Sequence, residues 1–280
     1  MSFHDPRKVL KAHGVWTKKQ FGQNFLINPA IPDQIVMAGG VSANDVVFEI
    51  GAGCGTLTRA LATVGCPVVA LEYDRELVPI ARAELAWAPH VELREGNVLD
   101  VDWRALADEL GQPLTVYGNL PYHLSSAIIF SLLEQGDCWE RACFLLQKEF
   151  AQRLSATPGT RQSSALTVNA ALHAQSTLIF DVAPTAFHPP PKVHSSVVVM
   201  ERHAEPPVDV GVNRQFRAIV RNLFEHRRKM TRKALKALAA DSARLLDEAG
   251  IDGTRRGETL NLREIAALSR ALGRVDAKTA

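Results

Sequence analysis

Val46-Val47-Phe48-Glu49-Ile50 runs directly into Gly51-Ala52-Gly53-Cys54-Gly55, and Thr56–Val64 follows with helical spacing up to Gly65. A short apolar run that stops at glycine reads as a buried strand. The glycines let the chain turn sharply and bring its backbone close to a ligand, and a helix start beside them offers free N–H groups. Outward from this unit the alternation continues. Pro67–Leu71, Val91–Arg94, Leu114–Tyr117 and Ala142–Leu146 read as further strands, with helices over Leu77–Leu85 and Ser125–Leu133. Such a pattern predicts an α/β fold, a mostly parallel sheet with helices on both faces.

The pattern changes after about residue 160. Leu166–His173 looks helical. Thr177–Val182 and Ser195–Glu201 read as strands with Phe187-His188-Pro189-Pro190-Pro191-Lys192 between them, and with no helix to join them they can form an antiparallel edge. Residues 204–213 (AEPPVDVGVN) read as a linker. From Arg214 to Ala239 and beyond, the chain is expected to be helical. The expected division is therefore a sheet domain over 1–203, with an N-terminal segment at 1–27 and a helix start at Asn28-Pro29, a linker at 204–213, and a small all-helical domain over 214–280.

Bulk properties narrow the class. In 280 residues, 46% are hydrophobic and 22% charged, enough apolar material for a real core. No run of about eighteen apolar residues occurs, so no membrane span is expected. The opening MSFHDPRKVLKAHG is charged and lacks the apolar stretch of a signal peptide. The four cysteines form no CxxC pair and have no histidine cluster at zinc spacing, so the expectation is a reduced, cytoplasmic protein without a metal. Net charge is only +2, but its distribution is uneven. Between Gly211 and Ala240 stand Arg214, Arg217, Arg221, Arg227, Arg228, Lys229, Arg232, Lys233 and Lys236, against the single acid Glu225. Many are three or four apart and can share a helical face, which suits phosphate contacts. A second basic group, Arg7, Lys8, Lys11, Lys18 and Lys19, lies near the N-terminus.

Two features carry chemistry. Glu72 ends the second strand, where a carboxylate can accept from both hydroxyls of a ribose. NAD and S-adenosylmethionine (SAM) sites both use that arrangement; Thr56, standing where a dinucleotide loop has its third glycine, tilts the reading toward SAM. The second feature is Asn119-Leu120-Pro121-Tyr122 after the fourth strand, on the same sheet edge as the glycine loop. Adenine N6 is a poor nucleophile because its lone pair is delocalised into the ring. Two acceptors gripping its hydrogens favour a pyramidal nitrogen. The Asn119 side-chain oxygen can be one and the Leu120 carbonyl, aimed by Pro121, the other. Tyr122 can stack on the base, worth roughly 1–3 kcal/mol. Orientation of this kind can supply roughly 7–11 kcal/mol without a strong general base.

With these residues in place, the chain resembles the KsgA-type rRNA adenine dimethyltransferases, from about residue 8 to 272. Lys19-Gln20-Phe21-Gly22-Gln23-Asn24-Phe25-Leu26, Leu146-Gln147-Lys148-Glu149, Phe187-His188-Pro189-Pro190-Pro191-Lys192-Val193 and Phe224-Glu225-His226-Arg227-Arg228-Lys229 look like further motifs of that family. The resemblance implies a Rossmann-like SAM-dependent methyltransferase sheet and transfer of two methyls to each of two adjacent adenosines near the 3′ end of 16S rRNA. The partner would be a small-subunit precursor, and the product S-adenosylhomocysteine. It also implies that Asn24 and Leu26 close over SAM, that Gly51, Gly53 and Gly55 pack on its methionine part, and that Glu72 holds its ribose. Asn119 would touch both SAM and the target amine, and Phe187 would stack on the base opposite Tyr122. Arg221, Arg227, Arg228, Lys229, Arg232 and Lys233 are the candidate RNA-binding residues. A monomer is the simplest expectation.

Some positions depart from the family pattern. Asn97 stands where Asp is usual; its amide oxygen can still accept from the SAM adenine amine, with less charge. His123, Asn28 and Gln162-Ser163-Ser164-Ala165-Leu166 also differ, the last replacing a Tyr-Gly-containing segment. Two alternatives remain. One is the related class that modifies large-subunit rRNA and confers macrolide resistance, which more often has Ile where this chain has Leu120. The other is an RNA-binding assembly factor without catalysis, against which the intact Glu72 and Asn119–Tyr122 argue.

Overall fold

The computed structural model describes residues 3–239 and 241–277; the outermost ends of the expected domains, and residue 240, lie outside the described residues. The chain begins with α1 (Pro6–Ala12), β1 (Phe25–Leu26), α2 (Ala30–Gly39), β2 (Val47–Ile50), α3 (Thr56–Ala62), β3 (Val68–Glu72), α4 (Leu77–Glu84) and β4 (Val91–Glu95). It continues through α5 (Trp103–Leu110), β5 (Leu114–Asn119), α6 (Ser125–Leu133), β6 (Trp139–Gln147), α7 (Lys148–Leu154), α8 (Ala165–His173), β7 (Ala174–Val182), β8 (Phe187–His188) and β9 (Ser195–Arg202). Four more helices follow: α9 (Asn213–Glu225), α10 (Thr231–Ala234), α11 (Ser242–Ala249) and α12 (Leu262–Ala277).

Seven strands form one sheet in the order β4-β3-β2-β5-β6-β9-β7. The first five of these pair in parallel, β9 runs antiparallel to β6, and β7 lies beyond it, so the two late strands close one edge of the sheet. Every residue of β2 and β3 is buried, as expected of strands covered on both faces. Strand order reverses between β2 and β5, and the register sets Ile50 beside Gly118. The loop after Ile50 and the residue after Gly118 therefore emerge side by side at the carboxyl edge, where ligands bind in such sheets. Gly118 is itself required, because a Cβ there would stand 2.8 Å from the Ile50 carbonyl. A second, two-stranded sheet pairs β1 with β8 antiparallel, Leu26 opposite Phe187. Two residues per strand carry no readable alternation, so sequence spacing had no purchase on it.

The chain divides into two compact units: Met1–Ala151 with Thr177–Arg202, and Gln152–Ser176 with His203–Ala280. This corrects the expected division at 203/204. Val168 and Leu172 of α8 are buried in the same cluster as Phe216, Ile219, Val220 and Leu223, the apolar stripe of α9. Residues 204–213 are also tied down rather than a free linker: Val210 is buried and its carbonyl accepts from Ser269 Oγ at 2.6 Å. Gln162–Leu166 forms the start of α8 as a capping box. Ser164 Oγ accepts from Thr167 N at 3.2 Å, and Thr167 Oγ1 accepts from Ser164 N at 3.0 Å. Helix α2 starts at Ala30, with Asn28 Oδ1 accepting from the Ala30 amide at 3.0 Å. The helical run expected over Arg214–Ala239 breaks between Glu225 and Thr231.

Candidate functional site

The glycine loop turns through left-handed backbone at Gly51, Gly53 and Gly55 (φ +81°, +59° and +80°). A Cβ on Gly51 would meet nothing within 4 Å, whereas one on Gly53 would stand 3.1 Å from the Phe25 ring. The first glycine thus borders open space and the second lets β1 approach. Glu72 braces the loop from the neighbouring strand: Gly53 N donates to one carboxylate oxygen at 2.7 Å and Asp74 N to the other at 2.8 Å. Burial raises the Glu72 carboxyl above its ordinary range, against the pull of these backbone donors.

Asp74 continues the arrangement toward the N-terminal segment. Its carboxylate accepts from Lys18 Nζ at 2.7 Å and Gln23 Nε2 at 2.8 Å, and Lys18 also pairs with Glu76. Burial works against ionisation of Asp74, but Lys18 and Gln23 hold its carboxyl below the usual value. Phe21 meets Tyr73 edge to face at 5.5 Å. The stretch Lys18–Leu26 is so fastened along the carboxyl edge of β3. It reaches β5 as well, where Asn119 Nδ2 donates to the Asn24 carbonyl at 2.8 Å.

That bond orients the Asn119 amide, leaving its oxygen as the group to accept from an incoming donor. Leu120 is buried, its N–H donating to the Leu145 carbonyl at 3.2 Å. The Pro121 carbonyl accepts from Leu124 N and Ser125 N, both at 3.0 Å, which starts α6 and fixes the turn. Tyr122 is half-buried, its hydroxyl 2.6 Å from Ser195 Oγ. His123 is exposed and packs where a side chain on Gly22 would otherwise stand.

A cavity of about 370 Å³ opens between these elements. It brings together Asn24, Leu26, Gly51, Gly53, Glu72, Asn97, Asn119, Leu120 and Pro121. Gly55, Tyr122 and Phe187 do not line it. The Phe187 ring, expected against a target base, is only 2% exposed and packs in the core with Leu26 and Ala186. Asn97 Oδ1 accepts from Leu99 N at 3.1 Å and its Nδ2 donates to Asp100 at 3.2 Å, so the amide is held locally at the cavity rim. Sequence reasoning missed Glu49. This carboxylate, 1% exposed, lines the cavity; Oε2 has no hydrogen-bond partner, and burial pushes its pKa up to about 8. An acid inside an otherwise apolar strand was the available signal.

The sequence profile of the family described as ribosomal RNA adenine dimethylase matches residues 15–270. The chain belongs to that family. Among proteins similar to this rRNA adenine dimethylase is the ribosomal RNA small subunit methyltransferase A of Magnetococcus marinus, 43% identical over 93% of this chain and 94% of that one. Its counterpart from Methylococcus capsulatus is 42% identical, covering 91% and 97%. A dimethyladenosine transferase from Plasmodium falciparum has the same fold, with a TM-score of 0.74, 24% identity and coverage of 87% and 95%. The 23S rRNA methyltransferase ErmE is similar at a TM-score of 0.70 and 26% identity, covering 89% and 100%.

In this rRNA adenine dimethylase the expected RNA-binding residues lie in the second unit, but not on one helix. Arg221 is on α9, Arg232 and Lys233 are on α10, and Arg227, Arg228 and Lys229 occupy the turn between them. Arg227 is committed: it pairs with Glu258 and donates to the Arg161 carbonyl at 2.6 Å. Arg221, Arg228, Lys229, Arg232 and Lys233 are exposed and make no ion pair among the described residues.

Proposed function

We propose that this rRNA adenine dimethylase transfers methyl groups from SAM to the N6 amines of two adjacent adenosines near the 3′ end of 16S rRNA, within a small-subunit precursor. The observation that carries the reading is the Asn119 amide, turned by the Asn24 carbonyl so that its oxygen serves as acceptor. The relatives named as small-subunit methyltransferases, at 42–43% identity, favour that subunit over the large one on which ErmE acts.

The residues present fit the cofactor. Gly51 leaves open space where a Cβ would stand, Glu72 offers a buried carboxylate, and Glu49 a buried carboxyl oxygen with no hydrogen-bond partner. Asn24, Leu26, Gly51, Gly53, Glu72, Asn97 and Asn119 would hold SAM, with Gly55 shaping the turn. SAM supplies a methyl group on a sulfonium, an electrophile that needs only a well-placed nucleophile. Asn119 Oδ1 and the Leu120 carbonyl accept from the adenine amine and localise its lone pair. Tyr122 stacks on the base. Phe187 joins by resemblance, and because its ring is buried, movement of β8 is part of that role. Arg221, Arg228, Lys229, Arg232 and Lys233 contact phosphates. No metal is required, and the enzyme acts as a cytoplasmic monomer. Among the described residues no helix is long and apolar enough to cross a membrane.

Tritiated SAM and immature ribosomal subunits test the proposal. Label should enter small-subunit particles lacking the modification, with dimethyladenosine near the 16S 3′ end by mass spectrometry. Label confined to large-subunit rRNA would reverse the assignment, and no label on either would favour a non-catalytic assembly factor.

A further inference from the structure

Ser195 opens β9 in the register opposite Gln147, at the end of β6. The preceding carbonyl, His194, accepts from Lys148 N at 3.0 Å. On the next residue, Ser196 Oγ donates to Asp181 at 2.6 Å, and Asp181 in turn pairs with Lys148. Both serines are fully buried, ahead of the apolar run Val197–Met200. Hydroxyls are costly to bury without partners. Ser196 has Asp181; Ser195 has the Tyr122 hydroxyl at 2.6 Å.

A phenylalanine could stack on a base as well as a tyrosine, so the hydroxyl of Tyr122 needs its own explanation. The ring is attached to a turn stiffened by Pro121 and α6 at one end. Its other end is held by a hydroxyl that is itself fixed through the β6–β9 ladder. A ring pinned at both ends keeps one plane, and pre-set planes reduce the ordering required when a base arrives.

We propose that Ser195 is a positioning residue for transfer, holding the Tyr122 ring in the plane against which the target adenine stacks. The inference rests on the proposed stacking role of Tyr122. It gives the Leu146–Glu149 and Phe187–Val193 motifs a shared purpose: their junction delivers the Ser195 hydroxyl.

The test uses the full chain with small-subunit particles for kinetics, and an rRNA fragment carrying 2-aminopurine at the target position for stacking, which quenches its fluorescence. Ser195→Ala and Tyr122→Phe should each lower kcat about tenfold, the scale of one hydrogen bond, with KM within about twofold. The double variant should be no worse than either single one. Both single variants should also weaken the 2-aminopurine quench. Wild-type kcat in Ser195→Ala, or additive losses in the double variant, would overturn the inference. If Ser195→Ala unfolds, Tyr122→Phe decides alone, since it leaves Ser195 in place. Tyr122→Ala separates the layers. If it retains both quench and kcat, the stacking role itself is wrong. If it loses both while Ser195→Ala and Tyr122→Phe keep both, only the role of Ser195 fails.

Discussion

The side-chain nitrogen of Asn119 donates to the backbone carbonyl of Asn24 at 2.8 Å. One bond thereby joins the N-terminal segment to the carboxyl end of β5 and decides which face of the amide meets the substrate. Asn119→Asp keeps the shape but cannot donate, and sets a carboxylate against a carbonyl. Transfer should fall at least about a hundredfold, the scale seen when a placed polar group is lost from a transition-state site. RNA affinity, measured by filter binding, should stay within about twofold. Asn119→Ala should behave likewise. More than half the wild-type rate in either variant would remove Asn119 from the mechanism.

Asp74 anchors the same segment at its other end through Lys18 and Gln23. Its carboxyl is held low, so the anchoring is complete above the ordinary carboxylate range and is lost as pH falls through the depressed value. Asp74→Asn retains one acceptor for Gln23 and loses the charge that Lys18 meets. Amide exchange over residues 18–26 should accelerate by about fivefold, matching roughly 1 kcal/mol for a partly exposed pair. SAM affinity should drop while the overall melting temperature moves little. Unchanged exchange would show that Phe21 against Tyr73 suffices to hold the segment.

Glu49 provides the clearest pH signature. Its carboxyl is neutral in the folded protein below about 8 but ionises near 4.5 once unfolded. The unfolded state therefore releases this proton first as pH rises. Stability present below the unfolded value is progressively lost between about 4.5 and about 8, by at most about 1.4 kcal/mol per pH unit. Glu49→Gln should flatten this part of the melting profile and raise the melting temperature of the cofactor-free protein near pH 8. The slope due to Glu72, also raised, should remain. A variant that melts lower than wild type at pH 8 would mean that Glu49 is already charged and paired.

Much of this site was legible in the residues because strand ends and glycines announce themselves locally. Ile50 running into Gly51, and Tyr117 into Gly118 and Asn119, told where the carboxyl edge lies, and the parallel register then set the two side by side. What escaped depends on long-range pairing. The resemblance puts Phe187 against the target base, but β8 pairs with β1 and buries its ring. Asp74 and Ser195 act through Lys18 and Tyr122, 56 and 73 residues away in sequence, a relation no local spacing encodes. The second unit was misplaced at its start because α8 has the same periodicity whichever core its apolar face joins.

The basic surface gives a prediction in which position overrides charge. Arg221, Arg228 and Lys229 are exposed without an ion pair among the described residues, whereas Arg227 pairs with Glu258 and donates to the Arg161 carbonyl. If the free cations contact phosphates, replacing Arg221, Arg228 and Lys229 with Ala should reduce the slope of log affinity against log salt by about 2, at roughly 0.7–0.9 per contact. Arg227→Ala should leave that slope nearly unchanged. It should instead lower the stability of the second unit by on the order of 1 kcal/mol, through a lost hydrogen bond and a partly screened ion pair. Filter binding over a salt series and thermal melts separate the two effects. A slope reduced by Arg227→Ala but not by the triple variant would place the RNA on the opposite side of this turn.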